Sequence, residues 1–127
     1  MNKIYIEASA GELIDKITIL EIKKEKISDK NSLEIINKEY SSLKESVEKN
    51  IQVNDEIKKL WGELKSLNLK LWEIEDGKRL AEKKNDFGKK FIELARNVYK
   101  SNDLRAKIKL DINNTLGSNI KEVKSHE

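Results

Sequence analysis

Residues 55–80 read DEIKKLWGELKSLNLKLWEIEDGKRL and carry the most regular apolar pattern in the chain. The apolar residues of this stretch recur at alternating intervals of three and four positions. They are Ile57, Leu60, Leu64, Leu67, Leu71 and Ile74. This heptad spacing is typical of helices that pack lengthwise in a bundle or a coiled coil. The stretch therefore predicts one long helix with an apolar seam along one side.

Apolar stripes on either side of this stretch predict four further helices. The first opens at the capping box formed by Ser9 and Glu12, and the second at a similar pair, Asn31 and Glu34. The long third helix begins near Asn54 or Asp55. The fourth starts after the break at 85–86, and the fifth starts at 101–103 and ends at Gly117.

The first residues carry a different pattern, because Ile4 and Ile6 alternate with Tyr5 and Glu7. Such alternation permits one short N-terminal strand, at an edge or between two copies of the chain. Apart from it, we expect an all-α fold. The prediction is a bundle of about five helices, built on antiparallel hairpins, that forms one domain over residues 1–127.

The composition excludes several other classes of protein. The 127 residues include no proline and five glycines, too few turn residues for an all-β fold. There is no cysteine, and the only histidine is His126, so disulfides and Ser–His or Cys–His catalysis are excluded. We find neither a membrane-length apolar run nor a signal-peptide pattern, and we therefore predict a cytoplasmic protein without a membrane partner.

Charge is distributed unevenly along the chain. Residues 1–76 carry 13 Lys and 16 acidic residues, a net charge of −3, whereas residues 77–109 carry 11 Lys and Arg and four acidic residues, a net charge of +7. A basic second half indicates either an anionic partner or a solvated basic face. Nucleic acid is a disfavoured partner, because acids dilute the positive charge and no nucleic-acid-binding motif is present.

The arginines indicate where an anion would bind. Only three of the 26 cationic residues are arginine, and all three lie between positions 79 and 105. Arginine binds carboxylate or phosphate with two parallel hydrogen bonds, which lysine cannot do. Five of the seven aromatic residues lie between 61 and 99. The predicted ligand-binding residues are Trp72, Glu73, Glu75, Asp76, Arg79, Arg96, Tyr99, Asn102, Asp103 and Arg105.

Arginine, carboxylate and aromatic residues in one region are typical both of a ligand pocket and of a protein interface. In the structural alternative, Arg79 pairs with helix-3 carboxylates and ties helix 3 to helix 4. Arg96 lies at the rim of the buried face of helix 4. Arg105 follows the expected helix start at residues 102–103, where free backbone N–H groups favour an anion.

A metal site is a further alternative. Glu45 and Glu48, followed by Glu73 and Asp76, are similar to the paired acidic motif of all-α nucleotide pyrophosphatases, whose carboxylates hold Mg²⁺. These positions lie away from the heptad seams, whereas a cage inside a bundle would need them on the seams. We therefore assign no metal ligand.

The apolar surface on helices 2 and 3 also predicts a homodimer. Besides its seam, helix 3 carries Leu69, Trp72 and Leu80 on its outer side. One chain of this length does not cover all of that surface, so a second copy is expected to bury part of it.

Two separated stretches carry a resemblance to a known family. They are SAGELIDKITILEIK at 9–23 and the run from LWEIED at 71–76 through DFG at 86–88 to NDLR at 102–105. Together they resemble an uncharacterised family of short bacterial and phage proteins, a domain of unknown function, over nearly the whole chain. The resemblance implies no activity and no catalytic residues.

The sequence thus describes a protein of unknown function. The leading hypothesis is a helical accessory protein that binds an anionic small molecule (phosphate, nucleotide or nucleotide sugar) through the cluster at residues 72–105. The alternatives are a protein–protein interaction module with a structural Arg–carboxylate network and the Mg²⁺-dependent pyrophosphatase. Whether a reaction is catalysed, and with which cofactor, stays undecided.

Overall fold

The computed structural model describes residues 1–124, so His126 lies outside the described residues. This part of the chain forms four α-helices and no strand. The helices are α1 (Ala10–Lys26), α2 (Lys30–Asn50), α3 (Asp55–Lys83) and α4 (Lys89–Leu116). The all-helical prediction is confirmed. The helix count is one lower than predicted.

The helix boundaries follow local capping chemistry. Ser9, Asp29 and Asn54 each accept a hydrogen bond from the backbone N–H three residues ahead, as N-cap residues do. Gly117 ends α4 in the left-handed conformation with a φ of 64°. The predicted boundaries at Ser9, Asn54 and Gly117 are confirmed. The second helix begins at Asp29 and Lys30, slightly before the predicted Asn31.

The fourth and fifth predicted helices form one continuous helix. We expected a break at residues 101–103, but α4 runs through them from Lys89 to Leu116. Ser101 is buried, whereas Asn102 and Asp103 point into solvent, so their side chains do not compete with the helical hydrogen bonds. No proline or glycine stands there to interrupt the backbone.

The possible N-terminal strand is not present in residues 1–9, which are neither helical nor extended against a neighbour. Ile4, Tyr5 and Ile6 are all strongly exposed. A strand needs an adjacent strand to satisfy its backbone groups, and the described part of this chain offers none.

Helix α1 lies at the centre of the bundle and packs on all three other helices. α2 packs on α1 and has no Cα atom within 8 Å of α3 or α4. α3 and α4 form a long hairpin joined by residues 84–88. The central apolar cluster comes from α1, α3 and α4 and consists of Ile14, Ile57, Leu60, Leu64 and Ile112.

The α3–α4 hairpin extends well beyond α1. At about 1.5 Å of rise per residue, α1 spans about 25 Å and α3 about 43 Å. Toward the loop that joins α3 to α4, burial ends at Ile74 on α3 and at Ser101 on α4. None of the residues 75–100 between them is buried. We call residues 75–100 the arm. The two helices approach closely within it, because a methyl group on Gly77 would lie 3.2 Å from Leu94 Cδ1.

Candidate functional site

A buried carboxylate lies where α1, α3 and α4 meet. Asp15 of α1 is 1% exposed. The Arg105 side chain of α4 donates from Nε to Asp15 Oδ1 over 2.9 Å and from Nη2 to Oδ2 over 2.5 Å. Asn68 of α3 donates from Nδ2 to the same Oδ1 over 2.9 Å. The three helices are therefore joined through one carboxylate.

Thr18 completes this polar centre. Its hydroxyl donates to the Asp15 backbone carbonyl over 2.7 Å and accepts from Asn68 Nδ2 over 2.9 Å. Asn68 and Thr18 are both buried. Within residues 1–124, every buried side-chain nitrogen and oxygen has a hydrogen-bond partner. The centre is thus fully satisfied by the chain itself.

The charges of the centre cancel. The hydrogen bond to Asp15 raises the pKa of Arg105, although partial burial acts in the opposite direction. Arg105 therefore stays a cation and Asp15 supplies the matching negative charge. Because the pair is neutral, it attracts a further anion only weakly.

A cleft opens beside the polar centre. It has a volume of about 200 Å³, and four of its six lining residues are apolar. The lining residues are Ile19, Ile22, Asn68, Leu71, Trp72 and Arg105. The Arg105 guanidinium, whose side chain is 29% exposed, forms the one charged part of its wall. This cleft can hold a small amphipathic group that has one polar end.

A second polar cluster surrounds the N-terminus of α1. The Gly11 backbone N–H donates to Asn113 Oδ1 over 2.7 Å, and Lys109 pairs with Glu12 over 2.5 Å. Glu122, beyond the end of α4, accepts from the Ser9 hydroxyl over 2.6 Å and from Asn113 Nδ2 over 3.3 Å.

The pKa of Glu122 reflects these contacts. Partial burial opposes its ionisation, but the Ser9 hydrogen bond, the nearby Lys109 charge and Asn113 outweigh burial and lower the pKa. The segment after α4 is therefore held against the start of α1 by an ionised carboxylate.

Two of the ten predicted ligand-binding residues line the cleft, namely Trp72 and Arg105. The other eight are exposed on the surface of α3 or α4. They are Glu73, Glu75, Asp76, Arg79, Arg96, Tyr99, Asn102 and Asp103. Asp103 forms an ion pair with Lys124 over 3.0 Å. The predicted residues therefore do not form one cluster.

Neither Arg79 nor Arg105 has the surroundings that the sequence predicted for it. Arg79, expected to tie helix 3 to helix 4, instead pairs with Glu75 on its own helix over 3.0 Å and has a side chain that is 77% exposed. Arg105, expected at a helix start, lies in mid-helix and binds Asp15. The structural Arg–carboxylate network exists, but Arg105 and Asp15 form it across α1 and α4.

Asp15, Thr18 and Asn68 were not among the residues predicted from the sequence. A usable signal was present for Asn68, which lies on the same helical face as Leu64 and Leu71 and is therefore a polar residue on an apolar seam. Such a residue needs a buried partner. Asp15 likewise stands beside Ile14 in the first helix.

The four acids of the pyrophosphatase-like motif are not brought together. Glu45 and Glu48 are exposed on α2, where Glu45 pairs with Lys49 over 2.7 Å. Glu73 and Asp76 are exposed on α3, and no Cα atom of α2 lies within 8 Å of that helix. Among residues 1–124, no group of three or more His, Cys, Asp or Glu side chains is arranged to hold a metal ion.

None of the helices in the described part of the chain combines the length and the apolar character needed to cross a membrane.

Comparison with known proteins gives one match. The model of the family of unknown function DUF6165 matches residues 4–127. No curated protein and no solved structure matches the chain. The Asp15–Arg105 pair joins the two sequence stretches on which the family resemblance rests.

Proposed function

The chain belongs to DUF6165, a family of unknown function, and we propose that it is a helical interaction module whose arm docks on an acidic partner protein. One observation carries the proposal. The arm is helical for almost its whole length, yet none of its residues 75–100 is buried. The two helices of the arm cover each other only partly, so a partner that buries the rest of their apolar surface would stabilise them.

The arm offers apolar side chains to such a partner. Several large apolar residues on it are about half exposed, at 47% to 58% of their surface. They are Leu80, Phe87, Ile92 and Tyr99. Phe87 lies at the tip, where its ring packs edge-on against Phe91 with 5.4 Å between the ring centroids. Exposed aromatic and aliphatic residues of this kind are typical anchors of protein interfaces.

The charge of residues 83–90, which form the tip of the arm, indicates the charge of the partner. Residues 83–90 contain four lysines and one acid, Asp86, which gives a net charge of +3. Lys89 and Lys90 occupy the first turn of α4, where the helix dipole disfavours cations. They do not stabilise the helix there. Their positive charge suits an acidic binding partner.

The combination of charges and apolar side chains favours a protein over nucleic acid. A nucleic-acid duplex is bound mainly through its phosphates and polar base edges. The apolar side chains of Leu80 and Ile92 cannot form hydrogen bonds with these groups. An amphipathic helix with acidic flanks satisfies both features, because its apolar face covers the apolar residues and its carboxylates meet the lysines.

A titration with a defined probe tests the proposal. The probe is a fluorescent synthetic helix with leucines on one face and glutamates on the other. We expect it to bind the protein with an affinity that falls as salt rises. Lys89→Glu/Lys90→Glu should weaken binding by at least about tenfold, equivalent to about 1.4 kcal/mol. Its new acids lie at a helix N-terminus and should not destabilise the fold.

The matched control is Lys58→Glu/Lys59→Glu. These lysines are exposed near the N-terminus of α3 and lie outside the arm. The control has the same change in charge and should bind like the unaltered protein. Failure of the probe to bind, or equal weakening in both variants, contradicts the proposal. Binding only to duplex DNA or to anionic vesicles would contradict the choice of a protein partner.

A second candidate function is suggested by the cleft, which could take the anionic small molecule expected from the sequence. Asp15 occupies Nε and Nη2 of Arg105, and no residue from 1 to 124 accepts a hydrogen bond from its Nη1. Trp72 would stack on an aromatic or sugar ring beside that donor. In a panel of phosphate, nucleotides and nucleotide sugars, with and without Mg²⁺, the ligand that binds should then raise the melting temperature, and the shift should grow with the logarithm of its concentration above the dissociation constant.

Trp72→Leu should remove that response while largely preserving the fold, because Trp72 is only half-buried. Absence of any shift across the panel would rule out this second function. We propose no reaction and no cofactor, and the cytoplasmic location stays a prediction.

A further inference from the structure

A second, wider groove runs between α3 and α4. It has a volume of about 650 Å³, and none of its lining residues comes from α1 or α2. Leu67, Leu104 and Ile108 supply its apolar surface. Leu104 is 54% exposed although it lies beside the bundle core and outside the arm. This groove is separate from the cleft at Arg105.

The α3 side of the groove permits a close approach. Gly62 and Ser66 lie one helical turn apart along it. A methyl group added to Gly62 would meet nothing within 4 Å, so the space above the helix backbone is open. A second helix can therefore come near α3 and contact Leu67 directly.

The charges along the groove are self-complementary. Glu63 and Lys70 both line it and stand seven residues apart, which is two turns along the same face of α3. Neither forms an ion pair within residues 1–124. Their midpoint falls between Ser66 and Leu67. A two-fold axis through that midpoint therefore sets Glu63 of each copy against Lys70 of the other.

We propose that the groove binds a second copy of this chain, with the two α3 helices antiparallel across a two-fold axis near Ser66. The opposite order of the two charges favours an identical partner, because only an antiparallel copy brings both pairs together at once. An alternative dimer formed tip to tip would place two clusters of four lysines against each other, which electrostatic repulsion opposes.

Charge exchange tests this interface. Sedimentation should show a dimer of the unaltered protein at high micromolar concentration. Glu63→Lys and Lys70→Glu each replace two attractive pairs with two repulsive ones, and each should weaken dimerisation by at least about tenfold. The double variant restores both pairs and should dimerise like the unaltered protein. An equimolar mixture of the single variants should form the heterodimer.

A cross-link provides an independent test. The chain has no cysteine, so Ser66→Cys introduces the only thiol. Because position 66 lies beside the proposed axis, mild oxidation should give a covalent dimer. Ser42→Cys, at an exposed position of α2 away from the groove, should give no covalent dimer under the same conditions. A monomer at all concentrations, dimerisation unaffected by the single variants, or equal cross-linking at 42 and 66 would overturn the proposal.

The proposed dimer interface and the proposed binding of the arm to a partner can be tested separately. Lys89→Glu/Lys90→Glu should still dimerise because the tip lies outside the groove, and Glu63→Lys should still bind the acidic probe at its own arm.

Discussion

Asp15 shows how a single charged side chain can organise a helical bundle. Removing a carboxylate from water is costly, and the cost is recovered only when its charge and all its lone pairs are matched. Arg105 matches the charge with two hydrogen bonds, and Asn68 adds a third from another helix. The arrangement specifies how α1, α3 and α4 are aligned, because a shift of one helix would leave the carboxylate unpaired.

Loss of Arg105 should therefore be strongly destabilising. Arg105→Ala leaves Asp15 buried without its counter-charge and should cost about 3–5 kcal/mol of the free energy of unfolding. Arg105→Lys keeps the charge but loses the paired geometry, and we expect a cost above about 1 kcal/mol. Urea denaturation measures both values.

The matched controls are Arg79→Lys and Arg96→Lys. Both residues are exposed, and Arg79 pairs only within its own helix. Each change should alter stability by less than about 0.5 kcal/mol. Equal costs at all three arginines would refute the structural role assigned to Arg105.

Glu122 should make the attachment of the C-terminal segment depend on pH. Its pKa lies below the ordinary value of 4.5, so its contribution to stability is present above that pH and is lost as the pH falls through the lowered pKa. Glu122→Gln removes the charge. The unaltered protein should melt at a higher temperature than Glu122→Gln at pH 7. This difference should disappear as the pH falls below 4.5 and through the lowered pKa of Glu122. A difference that persists at low pH would contradict this.

Sequence reasoning located two of the side chains around the cleft, Trp72 and Arg105, because their residue types are rare and clustered. It could not assign Arg105 to Asp15, since 90 positions separate them and nothing in the periodicity reports which helices meet. The same limit hid the difference between Arg105 and Arg79.

At the level of helices, the contact between α1 and α4 depends on one glycine. A methyl group at Gly11 would lie 2.5 Å from the Lys109 carbonyl oxygen, closer than van der Waals contact permits, and the obstacle is backbone that cannot rotate away. The Gly11 N–H also donates to Asn113. The two helices can approach this closely only because position 11 lacks a Cβ atom.

Gly11→Ala should accordingly separate α1 from α4 and cost at least about 2 kcal/mol, a magnitude typical of overpacked sites. Gly62→Ala is the control, because a methyl group there meets nothing. In a helix interior it should stabilise the protein by about 0.5–1 kcal/mol. Thermal unfolding of dilute protein measures both, and a neutral Gly11→Ala would show that the helices are not in close contact.

The helix boundaries were largely readable because caps are local. Ser9, Asn54 and Gly117 act through hydrogen bonds or a dihedral angle within a few residues of themselves. The false break at 101–103 arose because Ser, Asn and Asp can either cap a helix or lie within one. In α4, Ser101 is buried whereas Asn102 and Asp103 are exposed, and this placement depends on tertiary structure.

In the whole molecule, stability and binding are assigned to different regions. The central cluster and the Asp15 centre hold α1 against the near half of the α3–α4 hairpin. The far half, the arm, is left uncovered. In the proposed dimer the two α3 helices are antiparallel, so the two arms would point in opposite directions. Each dimer could then engage two acidic partners.

The sequence predicted an all-helical bundle with a long third helix, but it did not predict the arm. Apolar residues such as Leu80 and Tyr99 are spaced like buried residues, and periodicity alone does not show that nothing covers them. The capping residues predicted from the sequence mark the helix boundaries, so they already indicated that α3 is longer than α1. The contact between Asp15 and Asn68 shows which part of α3 the shorter helix meets, and this pairing could not be read from the sequence.

Amide hydrogen exchange of the protein, measured alone and with the acidic helical probe, tests whether the arm is the docking surface. Without the probe, amides of residues 75–100 should exchange faster than those of α1 and of the α3 segment packed on it, because few buried contacts hold the arm. With the probe, protection should rise within residues 75–100 and not around Ile19, Trp72 and Arg105. Protection confined to that cleft, or no change in the arm despite binding, would show that the arm is not the docking surface.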